Sequence, residues 1–308
     1  SAVAGINAED AEIAKKTKKE PFPGAVLLSE NLPSQEKLNN FINNDIVPSI
    51  KKVLNTKEEE TLSIRIPLAI PIIKFLKVLP HDLLIVKIPG VLTTLCQILR
   101  SKAQELRDNL RKTLCVVARI LGPKYLYFIL KELKGALRRG SQLHILGYTV
   151  HSLLTELSSV LKPGDLDDSL ELLSEIIIED TFGVTGTEKD ADGYTSKMKE
   201  VKQQKSFNSA EIVAANITLQ KFSIMIEPIK HILLYDKLTL KTEQKIDDLL
   251  RRLASGLHSN ADAGKRDMLV MCYELYKVTQ NVQAEEEAAR KALEEREAEN
   301  DTFMEDNE

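Results

Sequence analysis

Between residues 101 and 183 the apolar positions recur every three or four residues, and they are interrupted at Gly122-Pro123, Gly140-Ser141, Pro163-Gly164 and Gly183. Apolar residues at that period share one face of a helix, so each interval predicts an amphipathic helix and each break a turn. Leu106, Leu110, Leu114, Val117 and Leu121 form the first stripe, and Leu126, Leu130, Leu133 and Leu137 the second. Leu143, Leu146, Val150, Leu153, Leu157 and Val160 form the third. A fourth helix is expected to start at Asp165, with Asp167 and Asp168 in a first turn that favours negative charge and Leu166, Leu170, Leu173 and Ile177 on one face. Pro123 stands where a first-turn proline loses no hydrogen bond, and Ser141 where a hydroxyl can cap free N–H groups. Each pair of helices spans about forty residues, the length of a HEAT-type repeat. The predicted fold is all-α, an α-α superhelix of stacked helical pairs of the HEAT/armadillo kind.

The pattern extends less regularly on both sides. Upstream, Ser34 opens a helix carrying Leu38, Phe41, Ile42, Ile46, Ile50 and Leu54. A second runs from Leu62 to Val78, where Pro67 and Pro71 should kink or break it, and Pro89-Gly90 introduces a short helix through Leu92, Leu95 and Leu99. From 183 to 206 the period lapses into Thr, Gly, Asp, Lys and Gln, which predicts an inserted loop projecting from the stack. Helical patterning resumes near Ser209, with Pro228 kinking that helix or starting the next, and continues through 246–257 and 268–282. The expected organisation is a basic, flexible lead-in at 1–30, repeats at 31–182, the insertion at 183–206, further repeats at 207–282, and an exposed charged helix with an acidic tail at 283–308. In that last segment Glu286 with Arg290 and Glu287 with Lys291 are favourable pairs one helical turn apart.

Composition narrows the class. A chain of 308 residues with 43% hydrophobic content can build a core, and 5% aromatic residues with no Trp leave the packing to aliphatic faces. The net charge of −4 argues against a domain that coats nucleic acid, while local basic stretches can still meet phosphate. Cys96, Cys115 and Cys272 are odd in number and lie far apart on apolar faces, which suits a reducing compartment. The apolar run from Ile64 to Ile88 is interrupted by Pro67, Pro71, Pro80, His81 and Asp82, so a membrane span is not expected. No secretory signal is read, and a start at Ser1 with charged ends leads us to expect a piece of a longer protein. Lys15, Lys16, Lys18 and Lys19 form a basic cluster that nuclear import factors can read, or a solvated tail.

Few residues carry chemistry. His144 and His151 share a helix face but stand seven residues, roughly 10 Å, apart, too far for one metal ion. Glu188, Asp190, Asp192 and Gly193 mimic the first half of a calcium loop, yet the twelfth position falls on Lys199 rather than a bidentate glutamate. Gly183 and Gly186 lack the Lys-Ser/Thr of a phosphate loop, and no Gly-x-Ser-x-Gly elbow occurs. No catalytic residue, cofactor, metal or small-molecule substrate is therefore assigned. Two basic sets remain, Lys131, Lys134, Arg138 and Arg139 at one helix edge and end, and Lys197, Lys199, Lys202 and Lys205 after the loop. Either can contact RNA phosphates without reading sequence. The competing reading is ordinary solvent-facing basic residues opposite an apolar stripe, because no aromatics interleave them for base stacking.

Four stretches are familiar as they stand: Gln142–Leu154 (QLHILGYTVHSLL), Ile178–Gly183 (IEDTFG), Lys197–Lys202 (KMKEVK) and Lys205–Ile212 (KSFNSAEI). Together they resemble the giant HEAT-repeat scaffold family of the small-subunit processome, the Down-Regulated In Metastasis family, known in fungi as a U-three-snoRNA-associated protein. The resemblance is specific from about Gly140 to Ala215 and only compatible elsewhere, and Val184 to Asp192 carries no pattern tied to it. It implies a nuclear, nucleolar, architectural protein that braces pre-ribosomal RNA and processome proteins during pre-rRNA processing and early small-subunit assembly. No catalytic residue carries over. The alternative is a protein-binding HEAT solenoid such as a nuclear-transport receptor or a phosphatase scaffold. A hydrolase on a helical fold would need a convergent polar site that the sequence does not offer.

Overall fold

The computed structural model describes residues 33–56, 58, 60–190, 198–203, 205–235 and 238–273, with 276, 277, 280, 284, 288, 290 and 291 beyond them. Among the described residues every regular element is helical. The helices are α1 (Gln35–Phe41), α2 (Val47–Leu54), α3 (Leu62–Arg65), α4 (Ala69–Val78), α5 (His81–Ile98), α6 (Gln104–Leu121), α7 (Leu126–Ala136) and α8 (Ser141–Leu157). They continue as α9 (Leu170–Thr181), α10 (Val184–Asp190), α11 (Lys199–Lys202), α12 (Ser206–Asn216), α13 (Ser223–Tyr235) and α14 (Leu240–Ser259).

These helices stack in two rows. One row runs α2, α4, α6, α8, α12 and α14, the other α5, α7, α9 and α13, and within each row a helix packs on the next. Stacking on the next-but-one helix in sequence is what makes a helical-pair solenoid, so the all-α superhelix expected from the periodicity is the fold. The core between the rows is aliphatic: Leu92, Leu95, Leu110, Leu114, Leu130, Leu153 and Leu173 are fully buried. Each such side chain contributes about 1.5–3 kcal/mol on burial, which is how a core with so few aromatic rings holds.

The prolines behave differently from one another. Pro67 breaks the 62–78 segment into α3, a 3-10 turn at Ile66–Leu68 and α4, and Pro71 falls in the first turn of α4, where its missing N–H is not needed. Arg65, at the break, is buried and donates to the carbonyls of Val53 (3.2 Å), Leu54 (3.1 Å) and Thr56 (2.6 Å), capping the negative end of α2. Pro89, by contrast, starts nothing: it lies inside α5, which begins after Pro80. An interior proline costs about 3 kcal/mol, but Ile88, Val91, Leu92 and Leu95 are all buried on that helix and outweigh it at about 1.5–3 kcal/mol each. At 18 residues α5 is long and apolar enough to cross a bilayer, yet its buried row packs against α4, α6 and α7 as a core helix does.

Three further boundaries depart from the sequence pattern. Gly140, at φ +51°, is the N-cap of α8, and Ser141 is already helical and makes no capping bond, because the cap position must leave helical geometry and glycine does so at least cost. The fourth helix of the 101–183 region starts at Leu170, after a 3-10 turn at Asp167–Ser169. Asp165 and Asp167 are used outside it: Asp165 accepts from Lys162 N (2.9 Å), and Asp167 accepts from Thr218 N (2.9 Å) and Thr218 Oγ1 (2.6 Å), tying this turn to the next pair. The segment expected as a loop from 183 to 206 contains α10 and α11, and Thr185 and Glu200 in them are buried. The lead-in at 1–30 and the acidic tail lie outside the described residues.

The α12–α14 contact is the closest in the stack. A Cβ at Gly256 would overlap the backbone carbonyl of Glu211 and lie 2.7 Å from Ala214 Cβ. In an exposed helix Gly→Ala gains about 1 kcal/mol; here the added methyl meets backbone that must shift, and overpacking costs about 1–3 kcal/mol. Gly256→Ala is therefore expected to lower stability in urea unfolding despite its higher helix propensity. Leu173→Ala should cost about 2–5 kcal/mol in the same measurement, and an unchanged midpoint would refute its place in the core.

Candidate functional site

The described parts of the four familiar stretches converge on α8, which packs against α6, α9, α11 and α12. Into the aliphatic packing around α8 is set a line of polar contacts. The bare backbone of Gly147 lets the Asp180 carboxyl group of α9 rest on α8: an added Cβ would stand 2.8 Å from its Cγ. Ser206 at the start of α12 donates to Asp180 Oδ2 at 2.5 Å. One turn along α8, His151 Nδ1 lies 3.3 Å from Ser209 Oγ; burial, and then the charge of Lys205, push its pKa below the ordinary histidine value. At the other end His144, fully buried, meets Glu188 of α10 at 3.1 Å. Glu179 caps the first turn of α10 through Val184 N (3.2 Å), and Lys245 of α14 donates to the carbonyls of Thr181 (3.0 Å) and Gly186 (3.2 Å). This polar seam stitches five helices together.

Its strongest member is a buried charge cluster. Glu200 of α11 is sealed from solvent between two arginines of α6: Arg107 reaches it through Nε (2.9 Å) and Nη2 (3.1 Å), and Arg111 through Nη1 and Nη2 (both 2.9 Å). Arg107 also donates to the carbonyls of Ser101 (3.0 Å) and Lys102 (2.9 Å), and Arg111 pairs with Asp108 at 2.5 Å. Tyr148 of α8 lies beneath, with the Arg111 guanidinium 4.7 Å and the Lys199 ammonium 5.4 Å from its ring centre. Burial pushes the Glu200 carboxyl up, but the hydrogen bonds from Arg107 and Arg111 prevail and hold it down at about 2. Two-point pairing satisfies both oxygens, which a buried carboxylate requires.

The basic residues singled out in the sequence fall into different surroundings. Lys199 is partly exposed, 3.7 Å from Asp108 and over Tyr148, and Lys205 is half-buried beside His151, while Lys202 is exposed. Lys197, with Asp192 and Gly193 of the calcium-like pattern, lies outside the described residues. Lys131, Lys134 and Arg138 line a groove of about 850 Å³ whose opposite wall carries Glu171, Glu175 and Glu179 of α9. Lys134 pairs with Glu175 across it, and Lys131 is 6.0 Å from the Tyr127 ring centre. Arg138 and Arg139 follow the end of α7 and are exposed. Among the described residues no three His, Cys, Asp or Glu side chains gather as a metal set. Burial, and then the charge of Glu132, push the Cys96 thiol far up; burial, and then Glu156, raise Cys115 to about 11 although Arg111 opposes them, so neither is a ready nucleophile.

Arg107, Arg111 and Glu200 went unread in the sequence. A signal existed for the arginines: 107, 111, 114, 118 and 121 form one helical row, apolar in its second half, so charge in its first half marks buried charge. Glu200 had none, since its helix has only four residues.

A family model described as the U3 small nucleolar RNA-associated protein 20 domain matches residues 55–276, which takes in the seam and every helix of the two rows except α2. The chain is 41% identical over 237 residues to U3 small nucleolar RNA-associated protein 20 of Saccharomyces cerevisiae, covering 77% of this chain and 10% of that protein. It is 36% identical over 250 residues to the protein of the same name in Schizosaccharomyces pombe, covering 81% of this chain and 10% of that one. The chain thus spans about a tenth of the length of the curated relatives it matches.

Glu200→Gln removes the only negative charge among the described residues in contact with both Arg107 and Arg111 and is expected to destabilise the chain by about 3–5 kcal/mol at neutral pH. Because the folded-state pKa is depressed, this stabilisation is fully present above the ordinary carboxyl value of 4.5 and is lost as pH falls through about 2. Urea unfolding of both proteins should give a gap that is constant above about pH 4.5 and closes toward pH 2; a pH-independent gap would refute the assignment.

Proposed function

The chain belongs to the U3 small nucleolar RNA-associated protein 20 family, and we propose that it is an architectural segment of a U3-associated ribonucleoprotein particle, the small-subunit processome. Its role there is to space and brace other components during pre-rRNA processing and early small-subunit assembly, in the nucleolus. The observation that carries this reading is how the chain uses its charge. The buried ionic groups Arg107, Arg111, Glu200 and Asp180 are committed to holding neighbouring repeats in register. A stack locked in this way transmits position between distant contacts. The names of the two relatives, which record association with U3 small nucleolar RNA, support a U3-associated particle, and the two-row stack is consistent with an architectural role.

Contact with RNA falls to exposed basic side chains. Lys202 and Arg139 have the exposure for phosphate contact, and such contact would be positional and salt-sensitive. Lys199 and Lys205 serve the seam first, and contact through Lys197 joins the same proposal. Partners are precursor ribosomal RNA and proteins of the particle, with no small-molecule substrate or cofactor.

Charge reversal separates these roles. In the complete protein, Lys202→Glu with Arg139→Glu should leave the thermal melt within about 1 °C, as surface substitutions do, and shift the protein from U3-containing precursor particles toward the light fractions of a gradient. Lys199→Glu should instead lower the melting temperature, because it places a negative charge beside Asp108. Normal sedimentation of the double variant would remove those two residues from the RNA contacts. Wild-type protein that sediments free of U3 RNA and releases protein cargo on nucleotide exchange would favour the transport-receptor alternative.

A further inference from the structure

The groove between α7 and α9 is built for a different partner from the one its lysines suggest. Its lining is aliphatic, with Leu143 and Leu146 from α8, Leu172 and Ile176 from α9, and Ile224 from α13. Its two mouths are oppositely charged. Lys131 and Lys134 stand on α7 with Arg138 just past its end, and Glu171, Glu175 and Glu179 stand along α9 at intervals of four. The acidic row extends roughly 12 Å at helical rise, the length of about two helical turns. Phosphate is disfavoured here, because three glutamates share the groove and Lys134 is already neutralised by Glu175. A small apolar molecule would leave both charged rows unused.

We propose that this groove docks an amphipathic helix of another protein, with an aliphatic stripe toward Leu143 and Leu172, an acidic flank toward Lys131 and Arg138, and a basic flank toward Glu171 and Glu175. The helix would lie along the groove between α7 and α9, met by ridge-and-groove packing. The Lys134–Glu175 pair, with side chains 39% and 58% exposed, lies at the rim and swings outward to take the incoming charges. The proposal stands on the groove alone and holds whether or not the chain acts in a U3 particle.

The test is a photo-crosslinking residue at position 172 of the complete protein, activated in cells, with the attached species identified by mass spectrometry. The expected product is a segment of another protein with an aliphatic stripe and opposite charges on its two flanks. A synthetic peptide of that segment should bind the chain, lose about tenfold in affinity to Lys131→Glu with Arg138→Glu, and regain it when its acidic flank is made basic. Crosslinks to RNA, to this same polypeptide or to nothing would overturn the proposal. So would a peptide whose affinity ignores the charge exchange while both chains melt alike.

Discussion

Sealing a carboxylate from water costs several kcal/mol unless both of its oxygens are paired, and Glu200 meets that condition only where Arg107 and Arg111 present their guanidinium groups together. Those arginines lie one turn apart near the start of α6, so α11 has a single place to sit. With α11 placed, α12 begins four residues later against α8, its Ser206 reaching Asp180 and its Ser209 reaching His151. The position of α12 then determines that of α14 through the bare backbone at Gly256. The second half of the stack is therefore tied to the first by one buried charge cluster, while the first half is held mainly by aliphatic burial, with Arg65 capping α2.

That contrast explains what could be read from the sequence. The stripes of α6, α7, α8 and α9 were legible because a helix buried on one face repeats its apolar residues at helical period, and Leu110, Leu130, Leu153 and Leu173 are buried as read. Boundaries were less legible where a tertiary partner recruits the signal. Asp165 and Asp167 look like helix-start residues but serve Lys162 and Thr218, and Pro89 looks like a start but is overruled by the buried leucines around it. The region from 183 to 206 was illegible for a physical reason. Its helices are too short to show a period, and what holds them is polar pairing with residues some 90 positions away, as between Arg107 and Glu200.

The same reasoning separates basic residues that hold the fold from those that face outward. Sequence proximity placed Lys197, Lys199, Lys202 and Lys205 in one set, yet Lys199 is occupied by Asp108 and Tyr148 while Lys202 is exposed. Lys131, Lys134 and Arg138 do share a surface, but it includes the glutamates of α9. Local charge density along a chain is a poor guide to local potential in a stack, because each helix face is completed by a helix far away in sequence.

A stack made this way has a specific advantage over a purely aliphatic solenoid. Aliphatic faces are interchangeable, and a stack of many similar repeats can slip by one pair at little cost in buried area. A buried ion pair has no substitute partner: displacing α11 by one turn would strand two guanidinium groups and a carboxylate in the interior, at a cost of about 3–5 kcal/mol or more. Polar pairing at one interface thus fixes the register for aliphatic packing on both sides. Within this chain such a fixed point holds α11 against α6 and leaves α12 to begin against α8. The seam and the groove are in this sense one device, since Gly147 and Asp180, which anchor α8 to α9, also line the groove, and the rigidity of the first sets the shape of the second.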